Sequence, residues 1–149
     1  MKYYKILMTL FAFIFVAVAV RAADNTNANN KTEIEQTIDS YVKSIDTQNA
    51  DALGKSLLNN GSVITINTIS KTMNNYTASQ FIDLVKSHQK GGWTRNVTVN
   101  SVNIDGNTAT AKVEISDSRL MQSGFFTLIK EGNDWKIASD VTTLELKKK

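Results

Sequence analysis

Residues 96–115 read NVTVNSVNIDGNTATAKVEI, and the phase of their apolar positions decides the fold. Val97 and Val99 share one parity, whereas Val102 and Ile104 share the other. Side chains on a strand alternate between faces with a period of two, so these four residues reach one face only if an extra residue is inserted between the pairs. A β-bulge near Asn100-Ser101 is therefore predicted, and bulges bend the sheet that carries them. Asp105-Gly106 is a hairpin signal. Beyond it Ala109, Ala111, Val113 and Ile115 point to one face, with Thr108, Thr110, Lys112 and Glu114 on the other.

Toward the C-terminus, Arg119 to Lys130 reads as a long strand, Gly132-Asn133 as a turn, and Trp135 to Leu146 as the last strand. That strand also changes parity, from Trp135 and Ile137 to Leu144 and Leu146, which predicts a second bulge near Thr142. Toward the N-terminus the period changes to helical. Thr32-Glu33-Ile34-Glu35 has the form of a capping box, and Ile34, Ile38, Tyr41, Val42 and Ile45 recur on one face of a helix ending near Asp46. Asn49 can cap a short second helix with Leu53 and Leu57 inward, ending at Asn59-Asn60-Gly61. Ser62 to Ile69 reads as a strand, and Lys71 to Tyr76 fits more than one state. Thr77-Ala78-Ser79-Gln80 opens a third helix with Phe81, Leu84, Val85 and His88 on one face, stopped by Gly91-Gly92. Helices first, then hairpin-linked strands, indicate an α+β domain. The expected architecture is a cone: a curved antiparallel sheet wrapped around three helices, with a pocket in the hollow.

The first residues have a different character. Lys2 and Lys5 carry charge, Ile6 to Val20 carry none, and Arg21-Ala22-Ala23 follows, with Val20 and Ala22 at the small-residue positions of a cleavage site. This layout predicts a signal peptide over residues 1–22, cleaved after Ala22, and a secreted or periplasmic protein. The apolar run is shorter than the ~20 residues a membrane-spanning helix needs, although an uncleaved anchor is the rival reading. Residues 23–31 are polar and read as a flexible leader, leaving 32–147 for the domain. Lys2, Lys5 and Arg21 leave with the signal, so the 17 basic residues fall to match the 14 acidic ones. No nucleic-acid partner is expected from a balanced chain, nor stable membrane insertion after signal removal. The chain has no cysteine, which excludes disulfides, thiolate metal sites and lipoprotein modification. Asn30, Asn60, Asn75 and Asn96 each begin an Asn-x-Ser/Thr triplet, which matters only in a glycosylating host.

The order of elements resembles the nuclear transport factor 2-like superfamily, of cystatin-like fold, and within it the small exported proteins labelled "putative lumazine-binding". Three stretches carry the resemblance: IEQTIDSYVKSIDTQNADALGKSLL from Ile34, ASQFIDLVKSH from Ala78 and SGFFTLIKEGNDWKIAS from Ser123. They are patterns of apolar spacing and turns, and none is a chemical signature. The superfamily includes enzymes similar in layout, ketosteroid isomerase and polyketide cyclases among them. Matching from the first helix, the resemblance puts the isomerase tyrosine on Tyr41. The proton-transferring carboxylate falls near Thr65 and the second acidic donor near Phe126, neither of which is acidic. In that register the resemblance implies that isomerase chemistry of that type is not available.

The candidate ligand-binding residues are Tyr41, Phe81, His88, Trp93 and Phe126, and no catalytic residue, metal ligand or cofactor is assigned. Tyr41 is a pocket donor or a core tyrosine. His88 is the only histidine and, without partners, cannot form a metal site. Gly91-Gly92-Trp93-Thr94-Arg95 reads as the rim of the cone or as a helix stop leading into a strand. The strand from Arg119 has apolar residues on both parities: Leu120, Phe126 and Leu128 on one, Met121, Phe125 and Ile129 on the other. The set facing outward needs a cover, so a homodimer through the outer sheet face is expected. Three function classes remain: a non-catalytic exported domain binding a small, partly apolar molecule; a dimeric interaction module with a filled cone; and an isomerase- or cyclase-like enzyme. The last requires Asp39, Asp46, Asp83, Asp117 or Asp140 to enter the pocket with a raised pKa.

Overall fold

The computed structural model describes residues 27–147; the predicted signal segment and cleavage site, the first part of the predicted leader and the last two lysines lie outside the described residues. Ile34, Ile38, Tyr41, Val42 and Ile45 form the buried stripe of helix α1, residues 27–46. The helix starts before Thr32, because Asn27 to Lys31 contains no glycine or proline to stop it. The Thr32 hydroxyl donates back to the Ala28 carbonyl at 3.2 Å, as threonine does inside a helix, and the predicted capping box does not form. Helix α2, Ala50–Ser56, is capped by Asn49, whose side chain accepts from Ala52 N at 3.0 Å. It ends at Ser56, and Leu57 already begins strand β1, Leu57–Asn67, so Asn59-Asn60-Gly61 does not terminate the helix. The undecided stretch after it is an edge strand, β2, Thr72–Thr77. Helix α3, Ala78–Lys86, has the reciprocal Thr77/Gln80 capping box. Strands β3 (Asn96–Asp105), β4 (Thr108–Ser116), β5 (Leu120–Glu131) and β6 (Asp134–Leu146) follow.

The six strands form one sheet in the order β2-β1-β6-β5-β4-β3. The sheet is mixed: β1 and β6 run parallel, and the other pairs are antiparallel. β1 and β6 are separated by most of the domain, so no hairpin dictates their direction. The register of β3 on β4 shifts between Val99 and Ser101, where the sequence requires a bulge, and Val97, Val99, Val102 and Ile104 all pack against the core. The second bulge lies four residues earlier than predicted. Thr127 pairs with Ser139 and Leu128 with Ile137, which leaves Ala138 as the extra residue. Trp135 and Ile137 face inward before it, and Asp140 and Thr142 after it. The first inward residues past the bulge are polar, so a search for its position among apolar residues alone overshoots.

The segment after α3 is strapped to the end of α1. Gln48, at φ 54°, donates from Nε2 to the Lys90 carbonyl at 3.2 Å, and Gly92 N donates to the Asp46 carbonyl at 3.0 Å. Gly91 passes at φ 93° so close to the Ile45 carbonyl that a Cβ there would collide with it. Gly91→Ala should therefore cost about 3 kcal/mol, combining left-handed strain with a backbone clash. Gly106→Ala, at φ 57° with open space around it, should cost about 1 kcal/mol. Urea denaturation of the two variants checks the difference, and equal losses would remove the strap's steric basis.

Candidate functional site

The site lies on the inner face of the sheet where β6 passes over α1. The bulge at Ala138 turns Asp140 inward, between Val63 of β1 and Phe126 of β5 in the register. From below, Tyr41 of α1 donates its hydroxyl to Asp140 Oδ2 at 2.9 Å. Tyr41 and Asp140 are 1 % and 2 % exposed, so this hydrogen bond is sealed from bulk water. Tyr41 is held in place by Phe126, whose ring meets it edge-on at 5.6 Å. Two residues on, Thr142 is also buried and accepts from Gln122 Nε2 at 2.5 Å. Opposite Thr142 stands Gly124, where any Cβ would collide with the Val141 carbonyl, so only glycine lets β5 and β6 approach this closely.

Above this floor lies a cavity of about 90 Å³, walled by Thr65, Phe81, Ile115, Gln122 and Leu144 and rimmed by Lys90, Trp93 and Arg95. An adjoining recess of about 130 Å³ shares Trp93, Arg95, Ile115, Gln122 and Leu144 and reaches Asp117 and Leu120. The rim is built on one ion pair. Arg95 Nε and Nη2 both lie 2.6 Å from Asp46 Oδ1, and the Arg95 backbone N–H reaches Asp46 Oδ2 at 3.1 Å. Both side chains are about nine-tenths buried. The Arg95 guanidinium stacks over the Trp93 ring at 4.8 Å.

Of the residues singled out in the sequence, Tyr41, Phe81 and Trp93 line the cavity. Phe126 is fully buried core behind Tyr41. His88 is exposed: α3 ends at Lys86, and at φ 58° the histidine turns out to hydrogen-bond Gln48 Oε1 at 2.7 Å. The helical period that placed it on the apolar face no longer applies there. Tyr41 does not offer its hydrogen to the cavity, because Asp140 takes it. Thr65 is on the cavity wall, and neither it nor Phe126 supplies a carboxylate; the acid beside Tyr41 comes from the last strand. Among the described residues, no group of three His, Asp or Glu could hold a metal ion, and no helix is long and apolar enough to cross a membrane.

Burial pushes the Asp140 carboxyl up to about 6, although the Tyr41 and Thr142 hydroxyls and the Arg95 charge pull it back. Burial, then the charge of Asp140, drives the Tyr41 hydroxyl well above its usual range. Because the folded-state value of Asp140 is raised, its contribution to stability is largest below the unfolded value and is lost as pH rises through about 6. A shift of that size corresponds to roughly 3 kcal/mol. Asp140→Asn keeps an acceptor for Tyr41 and cannot ionise. The variant's melting temperature should therefore gain on the natural protein by several degrees between pH 4 and pH 7.5, and a pH-independent difference would show that Asp140 is not a desolvated acid.

Residues 29–141, most of the chain, match the family described as "Putative lumazine-binding". Solved structures agree on the fold. A nuclear transport factor 2-like protein of unknown function from Silicibacter pomeroyi aligns with a TM-score of 0.67 at 15% identity, covering 81% of this chain and 98% of its own. A protein from Kribbella flavida aligns at 0.65 and 13% identity, covering 81% and 95%. A nuclear transport factor 2-like protein with a cystatin-like fold from Novosphingobium aromaticivorans aligns at 0.62 and 16% identity, covering 83% and 86%. No curated protein matches the sequence. The family match over residues 29–141 leads to one conclusion: the chain belongs to the "Putative lumazine-binding" family, and it shares its fold with proteins described as nuclear transport factor 2-like.

Proposed function

We propose that this is an exported protein whose cone mouth binds a small, planar, partly apolar molecule. One observation carries the reading. A cavity whose walls combine apolar Ile115, Leu144 and Phe81 with polar Thr65 and Gln122 ends on a buried carboxylate and opens past a stacked aromatic–cation pair. Apolar walls with a few converging polar groups are the usual make-up of a ligand pocket. The cavity and its neighbouring recess, about 90 and 130 Å³, are small beside drug-sized pockets of ~300–1,000 Å³. The occupant is accordingly a compact ring system, and the family description supplies a first candidate in lumazine.

Asp140 also favours a second reading, an acid–base catalyst, because its raised pKa lies in the range that proton transfer at neutral pH uses. Titrating lumazine while following tryptophan fluorescence addresses both. Trp93 is at the mouth and Trp135 is buried in the core away from it, so quenching should disappear in Trp93→Phe and persist in Trp135→Phe. Ligand recovered unaltered after long incubation supports binding alone, whereas a chemically changed product supports catalysis.

The proposal includes a homodimer through the outer face of the sheet. Phe125 is 60 % exposed there and pairs in register with Val141, which pairs in turn with Ile64. Ile66 and Met73 extend the apolar patch toward the β2 edge. A contiguous apolar face of this kind favours a covering partner. Protein recovered from the exported fraction of its host should begin at Ala23 and scatter light at twice the mass of one chain. An intact signal segment counts against export, and a monomer across a wide concentration range against the dimer.

A further inference from the structure

Asp140 has an acceptor that the fold leaves poorly satisfied. Its Oδ2 takes the Tyr41 hydrogen, whereas Oδ1 is buried with no well-formed hydrogen bond, although the Thr142 hydroxyl lies near the carboxylate. A poorly satisfied carboxylate oxygen out of water is costly, and two events relieve it: protonation, or a donor supplied from the cavity that Asp140 lines. The charged and titratable groups around it are few. From α1 come Tyr41 and Asp46, and from the loop after α3 come Lys90 and Arg95. Strands β1 and β5 and helix α3 present only uncharged Val63, Thr65, Gln122, Phe126 and Phe81. Asp46 holds the Arg95 side chain, and the Lys90 ammonium lies 6.0 Å from the Tyr76 ring centroid, so no cation among the described residues is bound to Asp140.

Resting on the small-molecule reading above, we propose that the ligand is a planar heterocycle whose ring N–H donates to Asp140, so that it binds only when the carboxyl is ionised. Hydrogen-bond capacity selects such a donor. A ring N–H has a hydrogen to give and no lone pair on that atom to satisfy, which suits a floor offering a poorly satisfied acceptor. A hydroxyl would bring lone pairs as well, and the Tyr41 hydrogen is already committed to Asp140. Arg95 and Lys90 at the rim suit carbonyl oxygens at the ligand's outer end. The site therefore selects a cyclic amide or imide fused into a flat ring, oriented N–H inward and C=O outward.

The test uses matched probes: lumazine against 1,3-dimethyllumazine, and uracil against 1,3-dimethyluracil, each titrated calorimetrically at pH 5 and pH 7. The N–H members should bind at least tenfold more tightly than their N-methyl partners at pH 7. With Asp140 titrating near 6, their affinity should fall about tenfold between pH 7 and pH 5. Asp140→Asn should abolish that pH dependence. Tyr41→Phe, which leaves Oδ1 untouched but removes a hydrogen bond that favours the ionised form, should move the midpoint upward. This second variant keeps the test informative if Asp140→Asn folds poorly. Equal, pH-independent binding of N–H and N-methyl probes overturns the donor assignment and leaves the binding reading standing; absence of binding by all four overturns both.

Discussion

One extra residue, Ala138, sets the chemistry of this domain. On a strand of unbroken alternation, Trp135 and Ile137 facing inward would be followed by Ser139 and Val141, with Asp140 and Thr142 in solvent. The bulge reverses that phase. Val141 becomes an outer, 40 % exposed residue, and the carboxylate goes into the core beside Tyr41. Burying a carboxylate is unfavourable by itself, so the tertiary packing that fixes the bulge must outweigh it. The close approach of β5 and β6 at Gly124 is one part of that packing, and the parallel ladder to β1, whose pairing skips from Ile137 to Ser139 at the same point, is another.

Given an inward carboxylate, its chemistry depends on where the nearest guanidinium goes. Arg95 enters the same cavity and would, if paired with Asp140, hold the carboxyl low and occupy its other oxygen. Asp46 prevents this. It takes the Arg95 side chain and the Arg95 backbone N–H together, and the strap from Gln48 and Gly92 fixes the loop that delivers them. Arg95 then acts on Asp140 only through space, as the smallest of the influences opposing burial. Burial thus raises the pKa of the inner carboxylate, and with Arg95 paired to Asp46 only a weak through-space charge from the guanidinium opposes it.

The sequence exposes the frame of this fold more readily than its site. The apolar parity switch from Val99 to Val102, the helical stripe of α1 and the Thr77 cap are local signals, and each produces the element it predicts. The site is written in long-range geometry. Asp140 is one of many acidic residues, with no neighbour in sequence to mark it, and its partner Tyr41 is 99 positions away. The only local clue is a strand whose apolar phase breaks between Ile137 and Leu144; reading polar Asp140 and Thr142 as inward would have placed the bulge and the acid together. His88 shows the opposite error. Its apolar-face position follows from extending the helical period two residues beyond the point where the backbone leaves the helix.

The same reasoning explains why a shared fold says little about shared chemistry here. The aligned structures keep the architecture at 10–16% identity, which requires only that inward positions stay apolar and turns stay where they are. What lies at the bottom of the cone depends on the phase of a single strand, and a bulge gained or lost exchanges every inward side chain beyond it for its outward neighbour. A domain of this kind can change its inner polar groups without altering its outline. Its inner chemistry therefore follows from the hydrogen-bonding capacity of the particular residues that face inward, which in this chain include one buried carboxylate.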